Sequence, residues 1–318
     1  MKLVIAGLLG GACILMAQQL FAGGRGPSPS EQLVEMPTKP RSIPFVLQDN
    51  LVRIEISIKG RRQSAVLDSG SGPVVLHRSL THSLRLSEGV KGMDAGGAGK
   101  ETQQLRPVVL DDLRIGPLRF RKLEAYSGDL SHLSSSAGFP IHLLVGGPAF
   151  AWGSVTIDYP KRRVTFGRTK SAAKCLAPIP VEFVEGTPVV QVDLRPAQGS
   201  PPVRLRLMVD LGTRHTAAMI GGAFLRTDAG QRLERANAER QVGTGIGGKV
   251  QGKIAHVADI SIGGSRFGGA DVSLTRDIAA IEMGTIDGTL GVPFWQNGSI
   301  TFDYPARTIC IDSLNRQI

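Results

Sequence analysis

Ala65-Val66-Leu67-Asp68-Ser69-Gly70-Ser71 returns later in the chain as Leu207-Met208-Val209-Asp210-Leu211-Gly212-Thr213. In both copies an apolar run ends on an aspartate. The glycine two residues on lets the chain turn sharply and swing a backbone N–H towards the carboxylate. A second pair of segments repeats at nearly the same distance: Val155-Thr156-Ile157-Asp158-Tyr159-Pro160 and Ile300-Thr301-Phe302-Asp303-Tyr304-Pro305. Asp158 lies 90 positions after Asp68, and Asp303 lies 93 after Asp210. Further pairs fall between them. Gly92 to Gly99 faces Gly243 to Gly248, and Leu113-Arg114-Ile115-Gly116 faces Ile260-Ser261-Ile262-Gly263. Leu143-Leu144-Val145-Gly146 faces Gly288-Thr289-Leu290-Gly291, each followed by proline and aromatics (Pro148, Phe150, Trp152; Pro293, Phe294, Trp295). A repeat of this length makes the chain two homologous lobes. They are read as residues 44–170 and 181–318, joined by a Pro-containing linker at 171–180.

The class is all-β. Val52, Ile54, Ile56 and Ile58 alternate with Arg53, Glu55, Ser57 and Lys59, the period-two signature of a half-buried strand. Val203-Arg204-Leu205-Arg206-Leu207 does the same in the second lobe. Only Gly222 to Glu239 carries a helical pattern, and a weak one. With 318 residues the chain can bury two cores.

Met1-Lys2 and the apolar run to about Leu20 read as a secretory signal over 1–22, with Ala22 as the cleavage point. An uncleaved membrane anchor is the alternative. Either way the lobes are expected outside the cytoplasm, periplasmic or secreted. Residues 23–43, rich in Pro, Gly and Ser, read as a flexible lead-in. Cys13 has no convincing lipobox before it. Export leaves Cys175 and Cys310, which form one disulfide or stay as two buried thiols.

The formal charge of +10 raises nucleic acid as a partner. The basic residues cluster at turns (Arg61-Arg62, Lys161-Arg162-Arg163) without interleaved aromatics, so nucleic-acid binding is not expected. Gly243, Gly245 and Gly248 satisfy Gly-x-Gly-x-x-Gly, but Val250 stands where a phosphate loop needs Ser or Thr, and strand follows instead of helix. Asp158 and Asp303 read as hairpin-turn residues. The six histidines show no metal-ligand spacing, and His215 is read at the surface or cleft edge.

Taken together, the Asp-Ser-Gly and Asp-Leu-Gly triplets and the apolar-apolar-Gly segments ending at Gly146 and Gly291 resemble the aspartic peptidases. The likeness is greatest to exported bacterial proteins with two retropepsin-like lobes in tandem. The resemblance implies a double β-barrel with pseudo-twofold symmetry. It implies Asp68 and Asp210 as a catalytic dyad that hydrolyses peptide bonds with an activated water, and needs no metal or cofactor. Two carboxylates ~4 Å apart at an effective dielectric near 20 repel by ~4 kcal/mol, so the pair holds one proton over a wide pH range. Gly70 and Gly212 turn the catalytic loops. By the same resemblance, Ser69 bonds across to the opposite loop, and Ser71 and Thr213 bond the carboxylates. Leu211 departs from the pattern, since it stands where Ser or Thr is usual. Gly243, Gly245, Ile246, Gly247 and Gly248 resemble a flap that closes over substrate, with Gly96-Gly97-Ala98-Gly99 as its counterpart. The expected partner is a peptide or protein substrate, and the expected state a monomer. Leu211 keeps open an alternative, an inactive peptide-binding module on the same fold.

Overall fold

The structure is a computed structural model that describes residues 32–168, 175 and 177–312. The signal reading at 1–22 and part of the lead-in and linker lie outside the described residues. The fold is all-β and two-lobed, and the lobes repeat one strand order.

In the first lobe, neighbouring strands run Leu51–Ile58, Arg61–Leu67, Leu143–Val145, Val74–His77, Leu123–Gly128, Gln103–Leu110 and Met93–Ala95. In the second they run Thr187–Arg195, Val203–Val209, Gly288–Leu290, Ala218–Ile220, Ser265–Leu274, Gly248–Ile262 and Glu239–Gly245. The alternation in Leu51–Ile58 does what its period requires. Val52, Ile54, Ile56 and Ile58 are buried in the core, while Glu55 on the other face is exposed.

Each bracing segment lies parallel to the strand that carries its aspartate. Val145 pairs with Leu67, and Leu290 with Val209. The Asp68 N–H donates to Val145 O at 3.0 Å, and the Asp210 N–H to Leu290 O at 2.9 Å. A side chain on Gly146 would overlap Ser71 O. On Gly291 it would sit 2.5 Å from the carbonyls of Thr213 and Thr216. The glycines let the brace pass directly beneath the turn.

Three expectations from sequence meet a different arrangement. Two separate lobes are not the whole account, because a six-stranded sheet belongs to both. Its order is Ile179–Pro180, Thr308–Asp312, Ser299–Asp303, Ser154–Asp158, Arg163–Gly167 and Arg41–Pro44. The two Asp-Tyr-Pro repeats meet at its centre. Thr156 pairs with Thr301 in register, and their hydroxyls lie 2.8 Å apart. Second, the lead-in carries strands at Leu33–Glu35 and Arg41–Pro44, because the edges of two sheets offer unpaired backbone there. Third, the helical stretch is broken into Gly222–Arg226 and Asp228–Ala236. Thr227 is extended between them, and its hydroxyl accepts from Gly230 N, capping the second helix. Glu239 already begins a strand. As read from sequence, Asp158 Oδ1 accepts from the Lys161 N–H and Asp303 Oδ1 from the Ala306 N–H, both within hairpin turns.

Of the two cysteine readings, the disulfide is present. Cys175 and Cys310 are bonded, with Cα atoms 5.8 Å apart. The bond ties the connector between lobes to the last strand of the shared sheet.

Candidate active site

Asp68 and Asp210 sit at the two strand ends that the lobes bring face to face. A Cβ built on Gly212 would lie 3.0 Å from Asp210 Oδ1 and 3.4 and 3.5 Å from the two oxygens of Asp68. One built on Gly70 would lie 2.5 Å from Asp210 Oδ1. Gly70 thus tucks against the opposite carboxyl where only a residue without Cβ fits, and Gly212 packs on both carboxyls. The two carboxyls lie close enough to act on one another. Burial and then the neighbouring Asp210 charge push the Asp68 carboxyl well above the usual carboxylate range, against the pull of the Gly70 N–H.

The hydrogen bonds around the two aspartates are unequal. Gly70 N donates to Asp68 Oδ1 at 2.9 Å, and Gly212 N to Asp210 Oδ1 at 2.7 Å. Asp210 gains a further donor, since Thr213 Oγ1 reaches its Oδ2 at 2.8 Å and is itself bonded to Thr289 Oγ1 at 2.7 Å. Ser71 does not do the same for Asp68. Its hydroxyl donates instead to Pro73 O at 3.0 Å. Pro73 supplies a nearby carbonyl within a loop two residues shorter than its counterpart. Six positions separate Asp68 from Val74, but eight separate Asp210 from the equivalent Ala218. Asp68 thus has one donor and Asp210 two.

Ser69 crosses between the loops as expected. Its hydroxyl donates to Val209 O at 2.7 Å and accepts from the Leu211 N–H at 3.2 Å. Leu211 offers no oxygen to return these bonds, and its side chain is fully buried in the main core instead. Among the described residues, Ser69 therefore carries the polar cross-link between loops. Ser69→Ala is expected to lower the unfolding free energy by about 1–3 kcal/mol, because two buried backbone groups lose their partner. Urea denaturation measures this; a loss under about 0.5 kcal/mol would mean the loops hold by packing alone.

The glycine-rich segments cross above the carboxyls and touch each other. Strands Glu239–Gly245 and Gly248–Ile262 form a hairpin with Ile246 and Gly247 at its tip. Gly96 to Gly99 meets that tip from the first lobe. Gly247 N donates to Ala98 O at 3.0 Å, Glu101 N to Gly247 O at 3.0 Å, and Gly99 N to Asp277 O at 3.0 Å. Gly99 has φ +108°, and a side chain there would overlap Gly247 O. Beneath this roof lies a cavity of about 1670 Å³ lined by both aspartates, both glycine-rich segments and apolar side chains from each lobe. That exceeds the ~300–1,000 Å³ typical of small-molecule sites. The sequence-derived residues Asp68, Gly70, Ser71, Asp210, Gly212, Thr213, Gly243, Gly245 and Ile246 all line it, and Ser69, Gly247 and Gly248 stand behind them.

Other lining residues went unread in the sequence. Arg214, buried, pairs with Asp49 of the first lobe and donates to Ser136 Oγ at 2.7 Å. His215, read at the surface or cleft edge, lines the cavity beside it. Tyr304 lines the opposite side, and its hydroxyl is buried with no hydrogen-bond partner among the described residues. A signal for Tyr304 did exist. Trp295 stands four residues after Gly291 and its Nε1 donates to Tyr159 OH at 3.2 Å, whereas Phe150, four residues after Gly146, stacks on Tyr304 and has no N–H to give.

Residues 54–148 match the family model for aspartyl proteases. The match contains Asp68, its loop and the brace through Gly146, and bears out the resemblance for the first lobe. No curated protein matches the chain. Among solved structures, a retropepsin-like aspartic protease from Rickettsia conorii is similar at 17% identity with a TM-score of 0.29, covering 42% of this chain and 96% of that one.

Proposed function

We propose that this chain is an exported aspartic endopeptidase in which Asp68 and Asp210 share one proton. A protease-type function at the coarse level is supported by the family match. The observation that carries the finer reading is the convergence of both carboxyls under one roof of glycines, with their oxygens near a single point.

The chemistry follows from the unequal donors. Asp210, held by Gly212 and Thr213, is the ionised member and takes a proton from a water between the carboxyls as that water attacks the peptide carbonyl carbon. Asp68, protonated, donates to the carbonyl oxygen as it becomes a hydroxyl. When the C–N bond breaks, Asp210 passes the water proton to the amide nitrogen, Asp68 takes back a proton from the gem-diol hydroxyl as the new carboxyl forms, and the pair returns to its single-proton state. The cavity excludes bulk water and strengthens each of these interactions. Export is supported by the apolar start of the chain and by the Cys175–Cys310 bond, which persists in an oxidising compartment.

The inactive binding module remains a second reading because Leu211 leaves the polar cross-link one-sided. Hydrolysis of an unfolded protein between about pH 3 and 7, blocked by a statine inhibitor, separates the two. Peptide binding without cleavage across that range would favour the binding module.

The raised Asp68 carboxyl also sets a pH dependence of stability. Its ordinary value is 3.8, so its stabilising effect is complete below that pH and is lost as pH rises towards the elevated folded value. The melting temperature of Asp68→Asn minus that of the wild type is therefore expected to increase from acid to neutral pH. A difference that stays flat or shrinks would remove the claim that Asp68 is ionised at a cost.

A further inference from the structure

The two ends of the cleft are built on the same plan but charged differently. Strand Val46–Gln48 turns at Asp49-Asn50 into Leu51–Ile58, and strand Glu182–Val184 turns at Glu185-Gly186 into Thr187–Arg195. The registers coincide. Val52 faces Leu67, one residue before Asp68, and Val189 faces Met208, two before Asp210, which makes Glu185 the counterpart of Asp49. Both turns have two residues at positive φ, and each packs on the catalytic loop of the other lobe. Asn50 Nδ2 donates to Arg214 O at 2.8 Å. A Cβ on Gly72 would lie 3.3 Å from Glu185 O.

At the first end, the longer loop brings the Arg214 guanidinium onto Asp49. At the second end the loop is short and Gly72 stands where Arg214 would be, while Arg307 lies over the Phe183 ring, 5.2 Å from its centroid. Among the described residues, no hydrogen bond or ion pair reaches the Glu185 carboxylate. It lines the cavity half-buried, and that burial alone pushes it up to about 7. Phe183 and Tyr304 line the same cavity, with ring centroids 4.6 Å apart. A half-buried carboxylate and an aromatic wall make a site for an organic cation.

We propose that this end of the cleft binds a basic side chain, Lys or Arg, of the peptide substrate on one side of the scissile bond only. The incoming cation takes against Glu185 the place that Arg214 holds against Asp49. The opposite end, already neutralised from within the chain, makes no such demand, so the selectivity is one-sided. This inference rests on the reading of the cavity as a peptide groove, but not on cleavage.

The test uses extended peptides that differ at one position by Lys, neutral norleucine or Glu, with that position moved along both sides of the scissile bond. At about pH 7, where the Glu185 carboxyl is open to ionisation, cleavage is read as kcat/KM in the wild type, and binding as Kd by fluorescence anisotropy in Asp68→Asn. At one position, on one side, Lys is expected to exceed norleucine by about tenfold. Glu185→Gln brings that ratio to about one, and Glu185→Lys turns the preference towards the Glu peptide. Lys selection in binding without any cleavage would sink the peptidase reading and leave this inference standing. Cleavage with no basic preference, or with a preference that survives Glu185→Lys, would overturn the inference and leave the peptidase. Failure of every peptide to bind would reject both.

Discussion

Asp68→Asn and Asp210→Asn each lower kcat/KM for peptide hydrolysis by about 10²–10⁴-fold, with little change in the folded structure. Asparagine keeps the shape of the side chain, so the Gly70 and Gly212 N–H groups still find an oxygen at the same place. The ability to hold and pass a proton is what goes. The two substitutions differ in how they fail. In Asp210→Asn the base that receives the water proton is missing. In Asp68→Asn a neutral amide donor remains near the carbonyl oxygen, but it cannot transfer a proton. Neither loss should be recovered at any pH, because one carboxyl alone cannot both accept the water proton and donate to the carbonyl oxygen in the same step. Residual activity above about a tenth of the wild type in either variant would mean that the reaction runs elsewhere.

Removing the disulfide should produce the largest loss of stability. Cys175 and Cys310 are 135 positions apart, and closing a loop of that length removes about 5 kcal/mol of chain entropy from the unfolded state in the entropic treatment. Measured values commonly fall below that limit, so the double variant Cys175→Ser, Cys310→Ser is expected to lose about 3–5 kcal/mol in urea unfolding. The shared sheet suffers first. Its strand Thr308–Asp312 is held only by Ser299–Asp303 and the two-residue strand Ile179–Pro180. Reducing agent should reproduce the loss in the wild type and do nothing further to the variant. A loss under about 1 kcal/mol would show that the lobes are held together by the sheet and core without the covalent tie.

Much of this was legible in the residues because duplication writes every structural feature twice. The triplets at Asp68 and Asp210, the braces ending at Gly146 and Gly291, and the glycine-rich roof all occupy matching places in the two strand orders. What stayed hidden is what breaks the symmetry. Period-two alternation tells which face of a strand is buried, not which strand lies beside it, so the sheet shared by the Asp-Tyr-Pro repeats could not be read. Ser71 and Thr213 look equivalent in sequence, yet Ser71 turns to Pro73 O because its loop is two residues shorter. The same difference in length places Arg214 against Asp49 and leaves Glu185 without a partner. Leu211, read as a departure from pattern, proves to be a core residue, with Ser69 making the polar link across the loops.

Carboxyl ¹³C NMR on protein with labelled aspartate side chains, titrated across the acid range, reads the shared proton at its source. The Asp68 signal should titrate well above the ordinary carboxylate range in the wild type and move down when Asp210 is replaced by asparagine. An Asp68 carboxyl that titrates in the ordinary range, or that ignores the loss of Asp210, would contradict a single proton held between the two.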